Sequence, residues 1–275
     1  MRHSILLLIA LALSVGTSAQ EIKYCGQTEQ TEALFSRFSH LRSDAESAAE
    51  QLEHETRTYR ANRSDRDVVY IVPVVFHIIH NNGPENISDE QVYDAMYVLN
   101  RDFRKLNADI SQVYGDFGDI AADIEIEFRL AQIDPDGNCT KGIVRVQSPL
   151  TTEGGEDMKA LSYWPRNKYM NVWVCADAGG AAGYTFTPNS VNSPNMADVD
   201  GIVLLHDYTG SIGTSNAFRS RTLTHEVGHW LNLRHTWGPT NNPGEAENCD
   251  FDDNVDDTPE TIGWLSCLID GESCG

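Results

Sequence analysis

Four residues, His225, Glu226, His229 and His235, restrict this 275-residue chain more than any others. Positions 225 and 229 stand four apart, so an α-helix puts both imidazoles on one face, a turn apart. Position 235 comes six residues later. A continued helix would carry it too far along the axis, so the chain must turn sharply near Asn232. Asparagine is the non-glycine residue that best accepts a left-handed turn. The segment therefore predicts a helix, a tight reversal and three imidazoles returned to one point. Three neutral imidazoles with an open fourth position describe catalytic rather than structural zinc. Bound zinc lowers the pKa of water toward about 7 and polarises a carbonyl. Glu226 lies beside the set, where a carboxylate can take a proton from water and pass it to a leaving amine.

The remaining chain falls into three stretches. Residues 1–19 read as a secretory signal: Arg2 and His3, an apolar run over 5–13, then Thr17-Ser18-Ala19 with cleavage after Ala19. The run is too short to span a bilayer, and no later stretch approaches the roughly 18 apolar residues a span needs, so a secreted protein without a membrane span is expected. Residues 20–67 are polar. Leu34, Phe38, Leu41, Ala45, Ala48, Leu52 and Tyr59 recur at helical spacing, which predicts one amphipathic helix with a thin apolar seam. Arg57, Arg60, Arg63 and Arg66 then suggest an exposed, cleavable linker.

From residue 68 the composition becomes β-rich. Strands are predicted at 68–79, 124–133, 170–176 and 201–206. A helix is predicted over 88–106, with Ser88 and Gln91 as a capping box and Val92, Met96, Leu99, Phe103 and Leu106 as its apolar face. Residues 178–194 read as a loop. Strands and helices mixed without a regular alternation imply an α+β domain over 68–275. His77, His80 and His206 read as structural, and Trp164, Trp173 and Trp237 as core. Three sequons, at Asn62, Asn86 and Asn138, matter only in a host that modifies them.

The motif and its flanks resemble the metzincin peptidases, and within them the pappalysin (cytophagalysin-type) family. The resemblance is carried by the extended signature from His225 to His235, by Arg221-Thr222-Leu223-Thr224 before it and by Thr236-Trp237-Gly238 after it. Ala182-Gly183-Tyr184, Asp200-Gly201-Ile202-Val203 and Val255-Asp256-Asp257-Thr258-Pro259 add to it. It implies a zincin-like α+β fold with a twisted mixed sheet, a backing helix and an active-site helix. It also implies a secreted zinc endopeptidase made as a zymogen, with residues 20–67 as its pro-segment and intramolecular inhibitor. Asn232 stands where the family usually has glycine. The family's methionine turn beneath the metal has no counterpart, since Met1, Met96, Met158, Met170 and Met196 all precede His225. The expectation is a catalytic domain truncated before that turn, its C-terminal subdomain incomplete.

The resemblance further implies that Cys25 blocks the metal's fourth position as a latency switch, that Cys249 pairs with Cys274, and that Cys267 pairs beyond the truncation. A Cys139–Cys175 bridge is an alternative that sequence leaves open. Acidic residues crowd the end of the chain: residues 239–275 hold ten carboxylates and no Lys or Arg. Family likeness points to a calcium-stabilised loop there, with Asp253 and the Thr258 oxygens as ligands.

Net charge is −21, from 41 acidic and 20 basic residues. Such a chain is a poor partner for a phosphate backbone, so nucleic acid is excluded as a ligand and a protein or peptide substrate expected. Two alternatives accompany the peptidase reading. One is a truncated, catalytically inactive zinc-binding or interaction protein. The other is a gluzincin-type peptidase, in which a distant glutamate replaces His235.

Overall fold

The computed structural model describes residues 23–61, 68–113, 115, 117–264, 266 and 274. The expected signal segment, Arg63, Arg66 and Cys267 lie outside the described residues. The elements in chain order are α1 (Gln27–Arg37), α2 (His40–Ala61), β1 (Tyr70–His80), α3 (Asp89–Phe103), α4 (Phe117–Ile120), β2 (Ile126–Leu130), β3 (Ile143–Gln147), α5 (Glu156–Lys159), β4 (Met170–Cys175), β5 (Gly183–Thr185), β6 (Ile202–Leu205) and α6 (Thr222–Trp230).

The β-branched run over Tyr70–His80 forms β1, an interior strand of a six-stranded mixed sheet ordered β2-β1-β4-β6-β5, with β3 off this path beside β1. The N-terminal half of β1 pairs with β2 and its C-terminal half with β3 on the same side, both parallel. β4 lies on the other side of β1 and pairs in turn with β6, again parallel. β5 closes the sheet as an antiparallel edge on β6. Residues 74–80 of β1 and all of β4 and β6 are buried, as expected of strands covered on both faces. On one face Val74, Phe76, Ile78, Val172, Val174, Ile202 and Leu204 meet Val92, Ala95, Met96 and Leu99 of α3 and Leu223 and Val227 of α6. On the other, Ile79, Trp173, Val203 and Leu205 meet Leu34, Phe35, Leu41 and Ala45 of the N-terminal helices. The architecture is α+β, with α3 as the backing helix.

Several expectations need correction. The single helix expected over 34–59 is two helices, broken at Phe38 and Ser39. The break lets Leu34 and Phe35 before it, and Leu41 and Ala45 after it, enter one cluster. Tyr59, expected on the seam, is exposed. The capping box is half formed: Ser88 Oγ accepts from Gln91 N at 3.3 Å. The Gln91 side chain is instead buried and donates to the carbonyls of His206 and Thr209. It pins the loop leading into α6. α3 ends at Phe103, leaving Leu106 exposed. The 178–194 stretch contains β5, and β3 was not expected at all. Neither strand is long: five residues and three.

His77 is buried between Ser162 Oγ at 2.8 Å and Asn171 Oδ1 at 3.0 Å and stacks on Trp173. It is structural, as its place in β1 suggests. Trp164 and Trp173 are core residues. Among the described residues no helix is long and apolar enough to cross a membrane.

Candidate metal centre

α6 carries His225, Glu226 and His229 and stops at Trp230 because the backbone turns left-handed at Asn232, with φ +72°. Asn232 N donates to His229 O and Leu233 N to Gly228 O, each at 2.9 Å. These two bonds are the pair that closes a helix on a left-handed residue. The reversal returns His235 to His229, whose Nε2 atoms stand 3.1 Å apart. His225 Nε2 is also 3.1 Å from His229 Nε2.

The other ring nitrogens determine what these three can do. His229 Nδ1 donates to Leu233 O and His235 Nδ1 to Thr240 O, both at 2.8 Å. A carbonyl only accepts, so each Nδ1 carries the proton and each Nε2 presents a lone pair. Burial lowers the pKa of His229, and that of His235 to about 4, which keeps the rings neutral. Bare nitrogens facing one another cannot hydrogen-bond. They do suit a tetrahedral cation, whose nitrogen ligands at 2.0–2.1 Å stand roughly 3.3 Å apart. The residues therefore fit zinc.

Glu226 is fully buried on the same helix, and neither carboxylate oxygen meets a hydrogen-bond donor of good geometry. Burial raises its pKa well above the ordinary range, while the facing Cys25 thiol works the other way. A carboxylate held this way is a stronger proton acceptor than one in water. Thr224 Oγ1 donates to Asp102 at 2.8 Å, tying α6 to α3.

Cys25 completes the group. Its Sγ lies 3.7 Å from His229 Nε2, and its ligand atom and those of the three histidines all fall within 4.8 Å of one another. Burial pushes the thiol pKa up. The backbone of residues 23–26 lies along the sheet edge: Ala182 N donates to Lys23 O at 2.7 Å and Gly26 N to Gly183 O at 2.9 Å. The two are parallel at Lys23 and Ala181. A side chain at Gly26 would meet Ala181 Cβ at 2.9 Å, so this close approach needs glycine. The predicted strands at 170–176 and 201–206 are interior to the sheet, and its edge here is β5.

Trp237, expected in the core, stacks on His235 at 4.5 Å between ring centroids and 5° between planes, and its Nε1 donates to Thr240 O. It shares that carbonyl with His235 Nδ1 and so fixes the third imidazole. Its place two residues past His235 was the only signal. Cys249 and Cys274 form a disulfide. The Cys139–Cys175 alternative is overturned. Cys175 is buried at the end of β4, donating to Asp177 O, whereas Cys139 sits on an exposed turn, and both are free. Asp253 is buried and accepts from Val255 N at 2.9 Å. Among the described residues the carboxylates at 250–257 do not converge as the histidines do.

Comparison with known proteins agrees with this geometry. The family model described as pregnancy-associated plasma protein-A, of the M43 peptidases, matches residues 154–274. Promirolysin of Tannerella forsythia, in a mutant form, superposes with a TM-score of 0.70 at 32% identity, covering 86% of this chain and 76% of that one. Mature mirolysin in complex with a cleaved peptide gives 0.63 at 35%, covering 71% and 73%. An extracellular metalloprotease of Colletotrichum graminicola is 28% identical over 74% of this chain and 62% of its own length. Another, from Neurospora crassa, is 35% identical over 39% and 36%. The chain thus spans less than two thirds of these curated relatives. Fold and site define a metzincin. Within that class, the chain belongs to the pappalysin family.

Proposed function

We propose that this chain is the zymogen of a secreted zinc-dependent endopeptidase. His225, His229 and His235 hold the metal, Glu226 is the general base, and residues 20–67 form an inhibitory pro-segment. The observation that carries the reading is the gathering of three Nε2 atoms, two of them left as lone pairs by Nδ1–carbonyl bonds, beside a buried carboxylate. When bound, zinc supplies Lewis-acid polarisation of the scissile carbonyl and makes water acidic. Glu226 takes a proton from the attacking water and delivers it to the leaving amine. Leu233 O and Thr240 O hold His229 and His235 in the neutral tautomer, and Trp237 fixes the plane of His235. An extended peptide adds to β5, where the backbone of residues 23–26 now lies.

Latency follows from the same contacts. Cys25 stands where a fourth ligand belongs, and residues 23–26 cover the edge. The relatives' names, extracellular metalloproteases, support secretion. Calcium at Asp253 and Thr258 belongs to the same reading, supported by the burial of Asp253 and by the resemblance. A calcium-dependent rise in Tm is its check. The gluzincin alternative needs a carboxylate in place of His235. Among the described residues none joins the three nitrogens.

The deciding experiment is cleavage of unfolded casein by the zinc-loaded chain after limited trypsin treatment, beside its Glu226→Ala twin. Glu226→Ala is expected to keep zinc and lose at least about 10³-fold in turnover. Equal turnover in both removes Glu226 from the role. Zinc bound with no turnover in either favours the inactive binding protein.

A further inference from the structure

Segment 156–166 places no side chain at the metal centre, yet two of its cations point inward. Lys159 is fully buried. Its ammonium donates to Val199 O at 2.9 Å and lies 5.3, 4.7 and 4.5 Å from the rings of Trp173, Tyr184 and Phe186. Arg166 donates to the carbonyls of Val191 at 2.5 Å and of Asn192 and Ser193 at 3.3 Å each, and pairs with Asp200 at 3.4 Å. Trp230, the last residue of α6, bonds to the same carboxyl. All four carbonyls belong to the connection from β5 to β6. That connection carries Thr187, Asn189 and Ser190, which with His229, His235 and the facing residues of α1 and α2 line a cavity of about 300 Å³. Tyr184 is in β5 itself, and its hydroxyl donates to Gly154 O at 2.6 Å.

We propose that Lys159 and Arg166 are positioning residues for substrate binding: they set the height of β5 and the pitch of the 187–193 wall from behind, without touching the peptide. The proposal rests on the peptidase reading above. β5 offers a peptide its main chain, so affinity depends on where that main chain sits. Lys159, against the Tyr184 ring of β5 and bonded to Val199 O, and Arg166, bonded to the carbonyls of residues 191–193, brace it through the chain that follows. Methionine at 159 fills the volume but leaves Val199 O without its donor. Lysine at 166 keeps the charge but cannot span three carbonyls as a planar fork does. Either change lets the wall shift while His229 and His235, held by their own loop carbonyls, stay in place.

The test uses the zinc-loaded chain opened by limited trypsin cleavage, with unfolded casein as substrate and Lys159→Met and Arg166→Lys as variants. KM is expected to rise about tenfold in each, with kcat held within about twofold. Zinc content should not change. Amide exchange should quicken across 183–193 and stay slow across 222–230. A lowered Tm with KM and the exchange map unchanged overturns the proposal, because the cations would then be structural alone. So does a fall in kcat with KM constant. If Lys159→Met does not fold, Arg166→Lys decides. A wild type that does not cut sinks the peptidase reading, whereas the exchange map still shows whether these cations hold the wall.

Discussion

One face of the sheet is covered by α3 and α6, the other largely by α1 and α2. The first cover is continuous in sequence with the strands it protects, and α6 brings the histidines with it. The second comes from residues 27–61, which run into the arginine-rich stretch, and it brings Cys25. In the proposed zymogen the first cover is permanent and the second removable. The same kind of apolar burial therefore does two jobs. On the α3 side it maintains the fold, and on the α1–α2 side, under the proposed function, it maintains inhibition.

Two leucines test that division most strongly. Leu99 of α3 is fully buried and Leu41 of α2 nearly so. Truncating a buried leucine costs about 2–5 kcal/mol. Leu99→Ala should lower the Tm of both the full chain and the trypsin-opened chain. Leu41→Ala should lower only that of the full chain and should speed pro-segment loss. Equal loss of Tm in the opened chain for both would erase the distinction between the faces.

Acid should act on the sheet between the covers. Burial lowers the pKa of His77 from 6.5 to about 4, with Asn171 opposing. Between these values the unfolded chain binds a proton that the folded chain does not, so stability is present above pH 6.5 and lost as pH falls toward 4. The loss attributable to this residue is about 3 kcal/mol at most. His77→Gln should flatten that part of the pH dependence of denaturant unfolding. An unchanged slope would mean that His77 charges in place.

Cys25→Ala separates the thiol from the helices. Uncleaved chain should gain about tenfold in casein hydrolysis, since removing the thiol leaves residues 23–26 on β5 and access only partly restored. No gain would assign latency to the β5 contacts and the helices alone.

The same contrast explains what could be read beforehand. The metal centre was legible because three imidazoles, the carboxylate and the turning residue lie within eleven positions, and local backbone rules connect them. The strands β1, β4 and β6 were legible because burial on both faces leaves continuous apolar runs. β5 was not, since three residues including Gly183 become a strand only through pairing with β6. Gln91 misled for a related reason: its spacing fits a capping box, but a distant loop claims its amide. Lys159 and Arg166 gave no signal, because a cation's partners here are carbonyls 40 and 25 residues away. What sequence spacing encodes is local geometry, and what it omits is which distant backbone closes on it.

Asn232 lies at the boundary between these two kinds of information, and it yields the smallest expected effect. Its left-handed φ is what the sequence predicted and what α6 requires. Glycine adopts this conformation without a Cβ penalty, so Asn232→Gly should change Tm and zinc affinity little, with stability within about 0.5 kcal/mol of wild type. A β-branched residue carries the full penalty, so Asn232→Val should cost about 1–2 kcal/mol. The cost should fall on the reversal more than on the helix. Leu233 O would move, His229 would lose the acceptor that fixes its tautomer, and His235 would return to a different height. Zinc competition with a chelator checks this: Asn232→Val should release metal more readily than Asn232→Gly at equal α-helix content. Equal release from both would show that the three nitrogens are held by Thr240, Trp237 and the sheet, and that the turn only follows them.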